Sequence, residues 1–310
     1  MATVLITGGT GLIGQHLTPL LTGKGYEVII LTRRLAGEKP PQGVRYALWD
    51  VSKQTIDAQA VQDADYIIHL AGANVADKRW TQKRKKEIVA SRTESSALLI
   101  KALSENNNKV KAIASASAIG WYGEDPRIPN PHPFKENDPP DEGFLGHTCK
   151  LWEESIGPVT ALQKRLVILR TGIVLDNGGG ALAAFKKPVY VGLAGIMGNG
   201  KQIVSWIHID DICKMYLAAL EQEHFQGAYN AVAPKPVSNK ELTLQLAKAM
   251  KGKFFVSAHV PDFLLKTALG EMSAEVLKST TVCCDKIRKA GYNFTFPTVE
   301  GAIDDLIKKK

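Results

Sequence analysis

Short apolar runs alternate with longer amphipathic segments through the first two-thirds of the chain. Between the fourth and fifth apolar runs, apolar residues recur at helical spacing from Thr81 to Leu103 and leave a polar opposite face, which predicts a long helix. Alternating strands and helices predict an α/β fold, a doubly wound parallel sheet with helices on both faces. Ligands of such sheets bind beyond the C-terminal ends of the strands. The predicted strands are Val4–Ile6, Val28–Leu31, Tyr46–Leu48, Tyr66–Leu70, Val110–Ala114 and Leu166–Leu169.

A glycine-rich turn follows the first predicted strand and opens the first predicted helix. Its spacing is G-x-x-G-x-x-G, counted from Gly8 to Gly14. Glycines allow a sharp turn and close approach of a pyrophosphate, and the helix N-terminus offers unpaired N–H groups. The pattern predicts a dinucleotide site of the Rossmann type, and the alternative is a tight turn without a ligand. The predicted contacts are Gly8, Thr10, Gly11, Leu12, Ile13 and Gly14.

The end of the second predicted strand bears on the choice of dinucleotide. An acidic residue usually binds the ribose 2′-hydroxyl there, whereas this chain has Thr32, Arg33 and Arg34. Guanidinium groups match a 2′-phosphate, so we predict NADP(H) rather than NAD(H). The alternative is a solvated arginine pair. Asp50 is a candidate for the adenine edge and is equally compatible with a turn.

The regular alternation ends after Leu169. Glycines break the pattern at 178–180 and over 192–200, and shorter helical patterns follow. We predict a dinucleotide-binding domain over residues 1–172, with a return to its sheet near 204–233. Residues 173–203 and 234–310 are predicted to form a smaller, mostly helical part that covers the substrate.

Composition excludes several classes of protein. The chain has 310 residues, 45% of them apolar, and a net charge of +8. The basic run Lys83–Lys86 has no interleaved aromatic residues, so we predict a solvated helix face and no nucleic-acid partner. The four cysteines lack C-x-x-C spacing and no histidine cluster accompanies them, so no metal site is predicted. We expect a cytoplasmic monomer or homodimer without a leader segment or membrane association.

Two residues beyond the fifth predicted strand are candidates for catalysis. Ser117 is placed to polarise a substrate C–O group, and Lys150 lies on a predicted helix over Leu145–Ser155. The alternatives are a serine that ends a strand and a surface lysine.

These elements resemble the extended short-chain dehydrogenase/reductase superfamily. The chain shares the glycine motif, Leu70-Ala71-Gly72 after the fourth strand, and a Ser117 to Gly123 segment similar to Ser-Ser-x-x-x-Tyr-Gly. The superfamily completes its site with Tyr-x-x-x-Lys, whose tyrosine transfers the proton. Gly146 stands four residues before Lys150, so the usual acid is absent.

Further motifs resemble one subfamily, the epimerase family proteins with a C-terminal domain of unknown function, which commonly lack the catalytic tyrosine. These motifs are His69 to Asn74, Arg79-Trp80, Ser205 to Asp211 and Leu269 to Met272. The resemblance implies NADP(H) binding. Glu87 and Arg92 are alternatively a mutual ion pair. The residues that the resemblance places near the cofactor are Leu70, Ala71, Gly72, Glu87, Arg92 and Val174.

The substrate is predicted to lie between the Ser117–Gly123 turn and the segment 192–208. The proline-rich loop from Asp125 to Pro140 is a candidate lid over the same cleft. The alternative is that the glycines of the segment 192–208 only allow an irregular connection back to the sheet. Predicted substrate contacts are Tyr122, Lys201, Gln202 and Trp206, and candidate substitute acids are Tyr122, His147, Cys149 and His208.

Two functions follow from these expectations. The first is an NADP(H)-dependent epimerase or oxidoreductase acting on an unidentified small molecule, with a sugar nucleotide as one candidate. The second is a catalytically inactive NADP(H)-binding sensor or interaction protein.

Overall fold

The computed structural model describes residues 1–35 and 40–308, so the predictions that include residues 36–39, 309 or 310 lie partly outside the described residues. The strands are β1 Thr3–Thr7, β2 Glu27–Thr32, β3 Val44–Asp50, β4 Thr55–Ile56, β5 Tyr66–His69, β6 Ala112–Ala118, β7 Arg165–Thr171, β8 Ile173–Leu175, β9 Leu193–Met197, β10 Ile203–Val204, β11 Trp206–His208, β12 Gly227–Ala231, β13 Val237–Ser238 and β14 Val256–Val260. The α-helices are α1 Leu12–Gly23, α2 Ala58–Asp63, α3 Gln82–Glu105, α4 Phe144–Ile156, α5 Gly180–Tyr190, α6 Ile209–Glu221, α7 Asn239–Lys251, α8 Asp262–Leu269, α9 Ser273–Leu277, α10 Asp285–Lys289 and α11 Val299–Lys308.

The central sheet has eight strands in the order β12-β7-β6-β5-β1-β2-β3-β4. All pairs are parallel except β3 with the short β4. From β1 the chain builds outward to β2 and β3, and then returns to β5 on the other side. This reversal creates a crevice at the C-terminal ends of β1 and β5. The predicted doubly wound α/β fold is confirmed.

Alternation along the strands gives the sheet two apolar faces. Val4 and Ile6 belong to one core cluster together with side chains of α1 and α6. Leu5 belongs to a second cluster with side chains of α2 and α3. A strand that is buried on both faces reads as a continuous apolar run, which is why these strands are visible in the sequence.

A smaller unit stands beside the large sheet. Its strand β9, which pairs in parallel with β14, packs on α5 and α7 through Val189, Ala194 and Ala247. The C-terminal helices do not belong to this small core, because Ile287 of α10 and Ile303 of α11 share the cluster of the large sheet. Residues 234–310 therefore do not pack as one separate body.

The proline-rich loop is fastened at its first residue, Asp125, and near its middle, at Phe134, which corrects the prediction of a lid. The buried Asp125 carboxylate accepts hydrogen bonds from the hydroxyls of Ser279 and Thr281, both at 2.7 Å. Further along, the Phe134 N–H donates to the Thr281 carbonyl and the Phe134 carbonyl accepts from the Cys283 N–H. The loop is a strap that binds the C-terminal segment to the main sheet.

A buried arginine holds the ends of β6 and β7 to α4. Arg170 is 3% exposed, and its Nε and one terminal nitrogen bind both carboxylate oxygens of Glu153 at 2.8 and 2.9 Å. Its other terminal nitrogen donates to the Tyr122 hydroxyl, and its guanidinium lies 3.6 Å from the ring centroid of Trp121. Removing one partner of such a buried pair leaves an uncompensated charge.

We expect Glu153→Gln to lower the free energy of unfolding by about 3 kcal/mol. The matched control is Glu154→Gln, since Glu154 is 58% exposed and lies 3.9 Å from Lys150; its effect should stay below about 0.5 kcal/mol. Urea denaturation of both variants measures the difference. Equal losses would show that the buried pair contributes no more than a surface pair.

Candidate dinucleotide and substrate site

The glycine turn after β1 is packed tightly at two glycines and open at a third. A Cβ on Gly14 would lie 2.5 Å from the Gly9 Cα, so α1 rests directly on the turn. Gly8 has a φ of +70° and lies against the Leu70 backbone. A Cβ on Gly11 would meet only the Gly8 carbonyl oxygen, at 3.2 Å. The turn therefore leaves space in front of Gly11, where the backbone is free to approach a ligand.

The N-terminus of α1 faces this space with unpaired amides. Gly11 is the N-cap and no side chain caps the helix. The first helical hydrogen bond runs from the Gln15 N–H to the Gly11 carbonyl. The N–H groups of Leu12, Ile13 and Gly14 precede it, and the first turn has no acidic residue. This arrangement suits an anionic group such as a pyrophosphate.

A threonine hydroxyl fixes the turn after β1 against the turn after β5. The Thr7 Oγ1 accepts hydrogen bonds from the N–H groups of Leu70 and Ala71, both at 3.1 Å. Its proton therefore goes to the Nδ1 of His69, 2.7 Å away. Burial lowers the pKa of His69 to about 3. The neutral imidazole keeps its proton on Nε2, which faces the Ser96 hydroxyl at 3.1 Å.

The two arginines at the end of β2 are exposed beside the glycine turn. Strand β2 pairs with β1 in the register Leu31 with Thr7, so Thr32 is level with Gly8, and Arg33 and Arg34 follow it. Asp50, one strand further, accepts hydrogen bonds from the N–H and hydroxyl of Ser52 and from the Lys53 N–H. These bonds place Asp50 in a turn, and its contact with the adenine edge stays a prediction.

Two of the residues that the resemblance suggested lie on α3. Arg92 donates to the Ala73 carbonyl at 3.1 Å, and its guanidinium would lie 3.1 Å from a Cβ on Gly72. Arg92 therefore packs against the loop after β5 and binds its backbone. Burial lowers the pKa of Arg92 to about 10, so it stays charged at neutral pH. Glu87 is exposed and pairs with Arg84 at 2.8 Å, so it does not form the alternative pair with Arg92.

The glycines after β8 touch the same helix N-terminus. A Cβ on Gly179 would lie 2.9 Å from a methyl group of Leu12. Val174 precedes these glycines on β8 and is half-buried, paired with Ile207 of β11. The segment from Val174 to Gly180 therefore borders the space in front of α1.

Helix α4 presents a different pair of residues to the site than the sequence predicted. A Cβ on Gly120 would lie 3.1 Å from the Leu145 Cβ and 3.7 Å from the Cys149 Sγ, so these two residues face the turn after β6. Lys150 is half-exposed and pairs loosely with Glu154. Lys150 follows Cys149 on the helix and so points about 100° away from it, and its catalytic role stays a prediction.

The position of Gly146 cannot hold a larger side chain. A Cβ there would lie 2.1 Å from the Asp141 carbonyl oxygen. The proton-transferring tyrosine of the superfamily therefore has no counterpart at either Gly146 or Leu145. Cys149 does not replace it as a thiolate, because burial raises the pKa of its thiol to about 11.

Ser117 is buried between β6 and α4. It is 3% exposed, and its hydroxyl donates to the Glu153 carboxylate at 2.7 Å. Side chains alternate along β6, so Ala116 and Ala118 point to the face of the sheet opposite to that of Ser117. In this arrangement the Ser117 hydroxyl positions Glu153, and its contact with a substrate stays a prediction.

Three of the four predicted substrate contacts are core residues, which corrects those predictions. Tyr122 is fully buried and its hydroxyl donates to the Asn230 amide oxygen at 2.7 Å. Trp206 is fully buried and donates to the Lys235 carbonyl. Gln202 is 4% exposed and donates to the Met197 carbonyl. Lys201 is exposed, and its contact with a substrate stays a prediction.

The remaining candidate acids do not converge either. His147 is exposed on α4. His208 is 1% exposed and its Nδ1 accepts from the Asp210 N–H, which makes it the N-cap of α6. Over residues 1–35 and 40–308, the structure shows no group of three His, Cys, Asp or Glu side chains arranged to hold a metal ion. In the same residues no helix is long and apolar enough to cross a membrane.

Sequence reasoning missed the residues that hold the site together. Thr7, His69, Glu153 and Arg170 carry the two polar networks. Thr7 directly precedes Gly8, and His69 directly precedes Leu70. Polar residues at the ends of these two strands could have indicated that they border the site. Glu153 stands four residues after Cys149 and so lies on the same face of α4. The sequence analysis chose Lys150, one residue away from this face.

The fold and the glycine turn together define a dinucleotide-binding protein of the extended short-chain dehydrogenase/reductase type. The model of the NAD dependent epimerase/dehydratase family matches residues 4–147, and a domain of unknown function, DUF1731, matches residues 260–306. Epimerase family protein YfhF of Bacillus subtilis is 34% identical over 98% of this chain and 97% of its own. Epimerase family protein SAOUHSC_00792 of Staphylococcus aureus is 33% identical over 100% of both chains. The chain belongs to the epimerase family proteins, as the motifs predicted.

Solved structures agree with this assignment. The human epimerase family protein SDR39U1 (isoform 2), solved with NADPH, is 28% identical and has a TM-score of 0.85 over 99% of this chain and 100% of that one. UDP-N-acetylglucosamine 4-epimerase from Bacillus cereus has a TM-score of 0.78 at 18% identity, over 99% and 98% of the two chains, and shows the fold alone.

We expect Gly11→Ala to weaken NADPH binding at least about a hundredfold, because the added methyl group fills the space in front of the turn. Its melting temperature should fall by only a few degrees, about 5 °C at most, since the Cβ meets one atom, the Gly8 carbonyl oxygen at 3.2 Å. The control is Gly23→Ala at the other end of α1, where a Cβ meets nothing within 4 Å. Calorimetric titration of both variants is the measurement, and unchanged affinity in Gly11→Ala would contradict the placement.

Proposed function

We propose that the chain is an NADP(H)-binding oxidoreductase of the extended short-chain dehydrogenase/reductase type that acts on a small molecule. The observation that carries the proposal is the open cradle in front of Gly11, with the amides of Leu12–Gly14 directed into it. A protein whose glycine turn served only the fold would have no need of the space at Gly11.

The preference for NADP(H) is supported by charge at the end of β2. Arg33 and Arg34 are exposed there, and this strand end holds no carboxylate among residues 32–35. A 2′-phosphate next to this strand end gains the donors of a guanidinium fork, whereas the ribose of NAD(H) has no acidic partner. The NADPH in the human relative supports the same choice.

A bound nicotinamide supplies hydride transfer, and the residues of this chain hold it and shape the crevice. Arg92 supports the loop after β5, and Leu145 and Cys149 line the turn after β6. None of these three is a proton donor with a pKa near neutrality. We propose that the proton reaches the substrate from water and that turnover is accordingly slow.

A second function is favoured by the same geometry. Ser117 is committed to Glu153, and the α4 positions that face the crevice are apolar or neutral. A protein that uses cofactor occupancy as a signal needs the cradle alone. The two functions are distinguished by whether a substrate oxidises the bound NADPH.

We expect NADPH to bind at least about tenfold more tightly than NADH, a difference of about 1.4 kcal/mol. Arg33→Ala should remove most of this difference by weakening NADPH binding alone. Lys24→Ala is the control, because it removes a positive charge just beyond the opposite end of α1. Titrations of both cofactors against each variant measure it, and equal affinities in the unchanged protein would refute the preference.

We expect a panel of carbonyl compounds to cause slow NADPH oxidation that is lost in Gly11→Ala. Lys150→Ala should keep kcat within about twofold, since this lysine faces solvent. The absorbance of NADPH follows the reaction. Tight NADPH binding without oxidation by any compound would favour the second function, and a large loss in Lys150→Ala would restore its predicted catalytic role.

A further inference from the structure

Two neighbouring loops form one end of the small unit. Residues 190–192 lead from the end of α5 into β9, and residues 251–255 lead from the end of α7 into β14. The Val256 N–H donates to the Gly192 carbonyl at 2.9 Å, which joins the two connections. Because β9 and β14 are parallel, both connections lie at the N-terminal end of the small sheet. We call residues 190–192 and 251–255 the paired loops.

Large apolar side chains are exposed on both of the paired loops. Val191 is 84% exposed, Phe254 87% and Tyr190 59%. Single apolar residues scattered over a surface are ordinary, whereas several of them on two joined loops form a patch. Such a patch indicates a surface that another partner covers.

The charge around these side chains has one sign. Residues 180–197 and 242–260, which include the paired loops, contain lysines and neither aspartate nor glutamate. Lys186 is buried and donates to the Asn177 amide oxygen. Over residues 1–35 and 40–308, no carboxylate pairs with the ammonium groups of the others, which are Lys187, Lys248, Lys251 and Lys253. Charges that no carboxylate neutralises attract an anionic partner.

A groove beside the second loop combines the two kinds of surface. Its volume is about 390 Å³, and the apolar side chains of Leu244 and Phe255 line it together with Lys248 and Lys253. Leu244 and Phe255 also pack against the small core, which fixes the apolar wall. A phosphate group that carries hydrocarbon chains satisfies both parts of this groove, whereas inorganic phosphate leaves the apolar part in water.

The helix ends explain part of this arrangement. Lys187 lies in the last turn of α5, and Lys248 and Lys251 lie in the last turn of α7, where cations stabilise a helix C-terminus. That role explains neither Lys253, which follows α7, nor the exposed Phe254. An anionic bilayer surface matches both features, because apolar side chains enter the boundary of headgroups and acyl chains while ammonium groups stay at the phosphates.

The paired loops lie away from the dinucleotide cradle. Helix α5 begins at Gly180, where a Cβ would lie 3.2 Å from a methyl group of Leu12, and it ends at Tyr190. Its 11 residues span roughly 16 Å. A partner on the paired loops therefore leaves the cradle accessible, and changes in these loops should leave NADPH affinity unchanged.

We infer that the paired loops and the groove beside them dock on the surface of an anionic phospholipid bilayer. Val191 and Phe254 enter the interfacial layer, and the ammonium groups of Lys248 and Lys253 bind lipid phosphates. The sequence analysis expected no membrane association because no segment is long enough to span a bilayer. A peripheral contact of this kind needs no spanning segment. The inference does not depend on the reaction that the protein catalyses.

Sedimentation of the full-length chain with vesicles tests the partner. The vesicles contain either phosphatidylcholine alone or phosphatidylcholine with about 30% phosphatidylglycerol, in about 0.1 M salt. We expect binding to the anionic vesicles to be at least about tenfold tighter than to the neutral ones. Raising the salt to about 0.5 M should remove most of this difference, because the charges are then screened.

A matched pair of phenylalanine variants tests the apolar contact. Phe254→Ser should weaken binding to the anionic vesicles at least about tenfold, because its ring no longer leaves water. Phe263→Ser is the control, since Phe263 is 66% exposed and follows the opposite end of β14; it should change binding less than about twofold. Both side chains are exposed, so the melting temperatures of the variants should match that of the unchanged protein.

Two double variants that remove equal charge test the lysines. Lys248→Gln with Lys253→Gln should weaken binding to the anionic vesicles at least about tenfold. Lys83→Gln with Lys86→Gln removes the same charge from two exposed positions on α3 and should have less than about a third of that effect. NADPH affinity should be the same in the unchanged protein and in Lys248→Gln with Lys253→Gln.

Four results would overturn the inference. The first is equal binding, or none, to the two kinds of vesicle. The second is an equal loss in the two lysine double variants, which would indicate attraction by net charge alone. The third is binding of polyglutamate as tight as that of anionic vesicles, which would assign the loops to an acidic protein. The fourth is a dimer that Phe254→Ser dissociates while vesicle binding stays intact, which would make the loops a subunit interface.

Discussion

The cofactor crevice depends on one hydroxyl group. Thr7 Oγ1 accepts the N–H groups of Leu70 and Ala71 and donates to His69, so the ends of β1 and β5 are locked at one distance. The strand order reverses between these two strands, and the ligand space of a doubly wound sheet opens there. Gly8 lies against the Leu70 backbone, and α1 rests on the turn through Gly14. These contacts at Gly8 and Gly14 fix the turn around Gly11 and keep the space in front of it open.

A second polar network determines what the crevice is able to do. Arg170 and Glu153 hold β7 to α4, and they engage the hydroxyls of Ser117 and Tyr122 in the process. Both hydroxyls were predicted from the sequence to reach the substrate. Here they satisfy a buried charge pair, for which leaving any polar group unpaired would be costly. The chain therefore keeps the cofactor cradle of its family while its proton-transfer groups serve the fold.

The sequence predicted those features whose cause is local. Apolar runs located β1, β2, β3, β5, β6 and β7 but not the short β4, and the glycine spacing located the cradle, because strand burial and turn geometry act within a few residues. The sequence analysis chose Lys150 on α4, whereas Cys149, one residue earlier, faces the turn after β6. The two residues differ by about 100° around the helix, and only packing decides which one points inward. Tyr122, Gln202 and Trp206 failed for a related reason. Their polar atoms bind Asn230, Met197 and Lys235, partners set by the fold and not by neighbours in the chain.

The central claim is that the turn from Gly8 to Gly14, clamped to Leu70 and Ala71, is the place where the cofactor binds. Hydrogen exchange of the protein with and without saturating NADPH tests it most directly. The account predicts increased protection in peptides that cover residues 8–14 and 70–73, with no change over residues 256–260 of β14. Saturable binding that leaves residues 8–14 unprotected, or protection confined to another part of the chain, would contradict it.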